Sequence, residues 1–199
     1  SRYTNCIMAR VYDHELLEKL SQHATVPVIN GLSDSFHPCQ ILADFLTIKE
    51  KKKKIHGLKI AWIGDGNNVC NSMIYGAALA GSSMSIATPK EFQPDKKVVK
   101  EAKKSSDIEL TSDPFQAVTN ADVVVTDTYS SIHNNDPKRI KKFIPKYQVN
   151  PKLMRSAKDN AIFLHCLPAK REQEVTSSVI DGSQSVVWDE AENRLHTQK

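Results

Sequence analysis

The chain has no apolar run near the roughly 20 residues that a membrane-spanning helix needs, and the run over 121–125 is already interrupted by Asp122. A helical membrane span is therefore not expected. Residues 1–5 also lack the charged-then-apolar layout of a secretory signal. Cysteine is sparse and scattered. Cys6, Cys39, Cys70 and Cys166 form no C-x-x-C and have no matching histidine spacing. Neither a zinc site nor a disulfide framework is expected, and a reducing cytoplasm is the simplest home. Charge of one sign is nearly balanced, at net +4. The densest basic run, 51–54, closes an amphipathic segment with no aromatic residue interleaved, which reads as a solvated helix end and argues against a nucleic-acid partner. There is no internal repeat, and no low-complexity segment beyond those lysines. What remains is ordinary globular composition over 199 residues, 40% hydrophobic and 25% charged, enough for one large domain or for one domain and part of another.

From Leu58 onward short apolar runs alternate with amphipathic segments, the pattern of βαβ units around a mostly parallel sheet. Strands are predicted over 58–63, 84–87, 108–110, 122–126 and 161–164, with helices over 69–79, 95–104, 114–119 and 151–157. Upstream, strands over 7–12 and 26–30 and helices over 15–23 and 40–53 make about two βα units. A usual sheet has four to six strands, so this first domain reads as incomplete. The predicted boundaries are 1–54 for the first domain and 57–199 for the second.

Polar clusters fall where these strands end, which is where open α/β sheets bind ligands. They comprise Arg10, His37-Pro38-Cys39-Gln40, the loop 64–68, the stretch 127–131, and His165-Cys166. Each has a plain structural reading as well: a surface arginine, a capping histidine, capping asparagines, a buried thiol. Arg10 is less easily dismissed, because it follows Ile7-Met8-Ala9 in an apolar strand where an unpaired guanidinium is costly. His37 at the start of a helix, with Pro38 at its first position, can polarise a carbonyl, and with Arg10 can hold a phosphate-bearing ligand. The loop Gly64-Asp65-Gly66-Asn67-Asn68 approaches a dinucleotide fingerprint, but Val69 stands where the third glycine belongs and no acidic residue follows the next strand at Ala87. Bound NAD is disfavoured.

"HPCQ" at 37–40, "DGNN" at 65–68, "HCLP" at 165–168 and "DEAENR" at 189–194 resemble, in order and spacing, the ornithine carbamoyltransferases. The resemblance covers nearly the whole chain. It implies a two-domain α/β carbamoyltransferase fold, with a Rossmann-like parallel sheet flanked by helices and the first domain incomplete. It implies transfer of the carbamoyl group of carbamoyl phosphate to the δ-amine of L-ornithine, giving L-citrulline and phosphate, in a homotrimer with no metal or organic cofactor. By the same resemblance Arg10 and His37 donate to the carbamoyl oxygen, Gln40 and the backbone carbonyl of Leu167 hold the carbamoyl NH2, and Arg194 completes the anionic-ligand site. Asn68, Asp127 and Ser131, with Ile132 beside it, take the amino-acid end of ornithine. Cys166 lies against the δ-amine, where a thiol or thiolate can accept its proton or fix its lone pair. The family usually reads Ser-Met-Gly where this chain has Ser131-Ile132-His133, so the loop over ornithine loses a glycine. The family's phosphate-binding Ser-x-Arg-Thr-Arg is not present upstream of Arg10, and the resemblance implies an internal fragment that does not turn over on its own. Another amine such as putrescine, or a non-catalytic Rossmann-like binding module, are the rival readings; Asp127 with Ser131 favours an α-amino acid over a diamine.

Overall fold

A computed structural model describes residues 1–130 and 136–199. The chain opens with β1 (Ile7–Arg10), α1 (His14–His23), β2 (Val28–Leu32) and α2 (Pro38–Lys52), then runs through β3 (Lys59–Ile63), α3 (Asn68–Ala80), β4 (Ser83–Ala87), α4 (Lys96–Ala102), β5 (Ile108–Thr111), α5 (Pro114–Val118) and β6 (Val123–Thr126). It closes with α6 (Pro137–Ile140), α7 (Pro151–Met154), β7 (Ile162–His165), α8 (Ser177–Ile180) and α9 (Val187–Gln198). Helix starts are written in the sequence: Asp13, Asn67, Asp95, Asp113, Asp136 and Asn150 each accept a backbone N–H of the first turn they precede. Each such cap is worth about 1 kcal/mol.

β1 and β2 pair in a two-stranded parallel sheet, and the other five strands form a parallel sheet in the order β5-β4-β3-β6-β7. Strands β3, β6 and β7 are covered on both faces, so their sequences read as nearly unbroken apolar runs, and alternate residues serve opposite faces. Ile60 and Trp62 of β3 join Val123 and Val125 of β6 in one core beneath α2, α3 and α4, while Ala61, Ile63, Val124 and Phe163 form the other core beneath α5 and α7. Ile41 and Ile48 of α2 belong to the first of these cores, which fastens the opening segment to the large sheet.

Two expectations change. Arg10 is exposed, because β1 is an edge strand in a sheet of two and encloses no guanidinium. The long closing helix α9 was not expected: its buried face carries Glu190 and Asn193 beside Val187, which hides the apolar period that marks a helix. No helix of the described residues is long and apolar enough to cross a membrane.

Candidate active site

β3 lies between β4 and β6; the chain leaves it toward β4 by way of α3, whereas β6 leads to β7 on the other side. The loops after β3 and β6 therefore diverge at their carboxyl ends and open the crevice in which such sheets bind ligands. The loop after β3 is shaped by two glycines. Gly64 has φ +125° and faces the Tyr129 ring, which a Cβ would meet at 2.7 Å, and a Cβ on Gly66 would lie 2.2 Å from the Pro94 nitrogen. Close packing accounts for both without a pyrophosphate.

On one side of the crevice, Asn67 caps α3 with Oδ1, accepting from Val69 and Cys70 N–H, and turns Nδ2 to Asp127 Oδ2 at 2.6 Å. Asp127 Oδ1 accepts from Thr128 N–H at 2.7 Å and from the Cys166 thiol at 3.1 Å. Burial, and then the carboxylates of Asp127 and Glu190, push the Cys166 thiol well above its usual value. As arranged, Cys166 is a neutral thiol that donates to a carboxylate. Asn68 is engaged elsewhere, its Nδ2 donating to Ser33 O at 2.6 Å and its Oδ1 accepting from Val69 N–H. Ser131 and Ile132 lie outside the described residues.

On the other side, His37 is held at the start of α2 by its backbone N–H, which donates to Ser72 Oγ of α3 at 2.8 Å. Its ring is buried, and Nδ1 has no partner among the described residues. Burial, Arg194 and Arg10, in that order, lower the His37 pKa from 6.5 to about 4, so at neutral pH the ring is an uncharged N–H donor. Gln40, one turn on, accepts Arg194 Nη1 on Oε1 at 2.6 Å, while the buried Arg194 Nε is unpartnered. A buried donor with no protein partner calls for a ligand or water. Arg10 makes no side-chain contact here but adds its charge to the field at His37.

The turn after β7 joins the two sides. Leu167 N–H donates to His165 Nδ1 at 3.0 Å, which leaves His165 Nε2 as the donor to Glu174 Oε1 at 3.2 Å. Leu167 adopts φ +55°. Potential ligand atoms of Asp127, His165 and Cys166 lie within 4.8 Å of one another. Both ring nitrogens of His165 are engaged, so the trio as arranged is a hydrogen-bonded corner.

The structure thus gathers His37, Gln40 and Arg194 in one polar group and Asp127, Cys166 and Leu167 at neighbouring strand ends. Sequence reasoning read Asn67 as a helix cap but not its hold on Asp127, and passed over Ser72, which anchors His37, and Asp44 and Glu190, buried at 1% exposure each. An aspartate inside the apolar stretch "ILADFL", four residues after Gln40, was the available signal for Asp44.

The family described as aspartate/ornithine carbamoyltransferase matches in two parts, its Asp/Orn binding domain at residues 56–199 and its carbamoyl-P binding domain at residues 1–50. The chain belongs to this family. It is 60% identical to the ornithine carbamoyltransferase of Cenarchaeum symbiosum over 199 residues, covering all of this chain and 66% of that protein. The ornithine carbamoyltransferase of Methanocaldococcus jannaschii is 52% identical, with all of this chain and 67% of the relative covered. Among solved structures, ornithine carbamoyltransferase from Pyrococcus furiosus superposes with a TM-score of 0.94 at 50% identity, over 99% of this chain and 65% of that one. The chain thus spans about two thirds of the length of the family members it matches. Membership supplies the α/β architecture of parallel sheets flanked by helices; the geometry above shows which side chains of this carbamoyltransferase-family chain converge.

Proposed function

We propose that the chain serves ornithine carbamoyl transfer, the reaction in which the uncharged δ-amine of L-ornithine attacks the carbonyl carbon of carbamoyl phosphate. The new C–N bond forms as the C–O bond to phosphate breaks, giving L-citrulline and phosphate. The observation that carries this reading is the unpartnered, neutral His37 ring beside an Arg194 whose Nε is also unpartnered, with Asp127 and Cys166 at the adjoining strand ends. His37 donates to the carbamoyl oxygen as negative charge grows there, with Arg10 and Arg194 supplying the positive field. Gln40 and the Leu167 carbonyl accept from the carbamoyl NH2. Asp127 pairs with the α-ammonium of ornithine, with Asn68, Ser131 and Ile132 assigned to the same end, and Cys166 faces the δ-amine.

Two domains, 1–54 for carbamoyl phosphate and 57–199 for ornithine, belong to the same reading, as does assembly into a homotrimer. Four free thiols suit a reducing, cytoplasmic compartment. The test is to titrate the protein with L-ornithine and with putrescine in the presence of carbamoyl phosphate, following the backbone amides of Asp127 and Cys166 by NMR. Perturbation by ornithine and not by putrescine is expected. Equal response to the diamine, or none to ornithine, refutes the assignment.

A further inference from the structure

Two acids with no task in the proposed reaction sit against its carbamoyl end. Asp44, one turn after Gln40 on α2, and Glu190, in the first turn of α9, are both buried and meet on the same side-chain amide. Gln40 Nε2 reaches both, at 2.8 Å from Asp44 Oδ1 and 3.1 Å from Glu190 Oε1. Glu190 Oε2 accepts the backbone N–H of His165 at 2.9 Å. Among the described residues neither acid forms an ion pair; Arg194, the cation whose charge acts on Asp44, donates from Nη1 to Gln40 Oε1.

Two buried carboxyls that adjoin on one amide and have no ion-pair partner would place two unscreened like charges in an interior, which costs more than one retained proton. We propose that Asp44 and Glu190 share a single proton and act as a positioning pair, fixing which end of the Gln40 amide faces the ligand and holding the turn after β7 in register with α2. The inference rests on the reading of Gln40 and Leu167 as holders of the carbamoyl NH2.

The geometry dictates the amide's orientation. With acceptor oxygens of both acids against it, only the NH2 end of Gln40 can point at the pair, since a flipped amide would set oxygen against oxygen. Oε1 is thereby presented toward Arg194, as an acceptor for an N–H donor such as a carbamoyl NH2. Through the His165 N–H the same pair fixes the start of the His165-Cys166-Leu167 turn. The pair is thus one tie between a helix of the first domain, the last strand of the second and the closing helix.

Removal of the shared proton leaves two negative charges in one buried site. The groups that face it are Arg194 from α9, Asp127 after β6, and His165 and Cys166 at the end of β7; Gln40 is neutral, and His37 at the start of α2 is uncharged at neutral pH. Burial raises both carboxyls, Asp44 to about 7 and Glu190 well above its usual value. The second charge draws Arg194 away from Gln40 and repels Asp127, so the carbamoyl end loosens as pH rises past neutrality.

The test is ¹H–¹⁵N NMR of the protein and of Glu190→Gln and Asp44→Asn from pH 5 to 9, reading the Gln40 side-chain NH2 and the His165 backbone N–H. The amide in either variant is neutral and keeps one hydrogen in the pair. In the unaltered protein the two signals are expected to shift together in one step, and in the variants to stay constant. Signals that do not move in the unaltered protein, or the same step in both variants, overturn the shared proton. Calorimetry with carbamoyl phosphate supplies the second arm: affinity is expected to fall about fivefold or more between pH 6 and pH 9, and less than about twofold in Glu190→Gln. An equal fall in both overturns the positioning role. No binding by the unaltered protein at pH 6 counts against the functional reading, while the NMR signals still decide the pair.

Discussion

The side-chain amide of Asn67 donates to Asp127 Oδ2 at 2.6 Å, so the residue that caps α3 also fixes the carboxylate at the end of β6. The two duties are separable. Serine caps helices about as well as asparagine but is too short to reach Asp127. Asn67→Ser is expected to unfold within about 0.5 kcal/mol of the unaltered protein and to bind ornithine about tenfold more weakly, a loss of about 1.4 kcal/mol. Denaturation and ornithine titration read the two effects independently; unchanged ornithine affinity removes Asn67 from the site.

Asp127 itself distinguishes the two substrates. Asp127→Asn keeps the shape and an acceptor oxygen but loses the charged partner of an α-ammonium. Ornithine affinity is expected to fall much more than carbamoyl phosphate affinity, and equal losses in calorimetry would reject the assignment.

Cys166 is held as a thiol, by burial first and then by Asp127 and Glu190. A neutral thiol is a slow nucleophile, so alkylation of Cys166 at pH 7 is expected to lag far behind that of exposed Cys6 and to be slowed further by carbamoyl phosphate with an ornithine analogue. In a chain completed to the full length of its relatives, Cys166→Ala is expected to lower turnover by about 10²-fold if the sulfur faces the reacting amine. A merely packed sulfur predicts only a stability loss of about 1 kcal/mol. Full activity together with no ligand protection rules out the catalytic role.

His37 ties acid stability to the site. With its pKa lowered from 6.5 to about 4, the folded protein binds fewer protons at this ring than the unfolded chain does between those values. The stability this difference represents is complete above pH 6.5 and is lost as pH falls toward 4. His37→Asn cannot take up that proton. Its melting temperature is expected to decline less steeply than that of the unaltered protein over that window, and parallel declines exclude a buried neutral ring.

Local chemistry was largely legible in the residues. Strands β3, β6 and β7 of the large sheet announce themselves as short apolar runs, because they are buried on both faces and have no polar side to show, whereas the edge strand β5 carries Glu109 and is only partly buried. Aspartate, asparagine and proline at helix starts act within one turn, so the first residues of α5 and α7 could be placed from Pro114 and Pro151 alone. The clusters at strand ends were visible for the same reason: Asp127 and His165-Cys166 follow directly on apolar runs.

What depends on distance along the chain had to be decided by the fold. Gln40 and Arg194 are 154 positions apart, and nothing in either neighbourhood specifies that one donates to the other. Asn67 and Asn68 are chemically identical neighbours; the path of α3 turns one toward Asp127 and spends the other on Ser33. Arg10 follows an apolar run, yet it is exposed because its sheet has only two strands. Glu190 reads as one acid in a charged stretch until α9 forms, packs on α2 and places it near Asp44. Short-range preferences set the strands, caps and turns, whereas burial, which makes His37 neutral and raises the acids and the thiol, exists only once the elements have packed and excluded water.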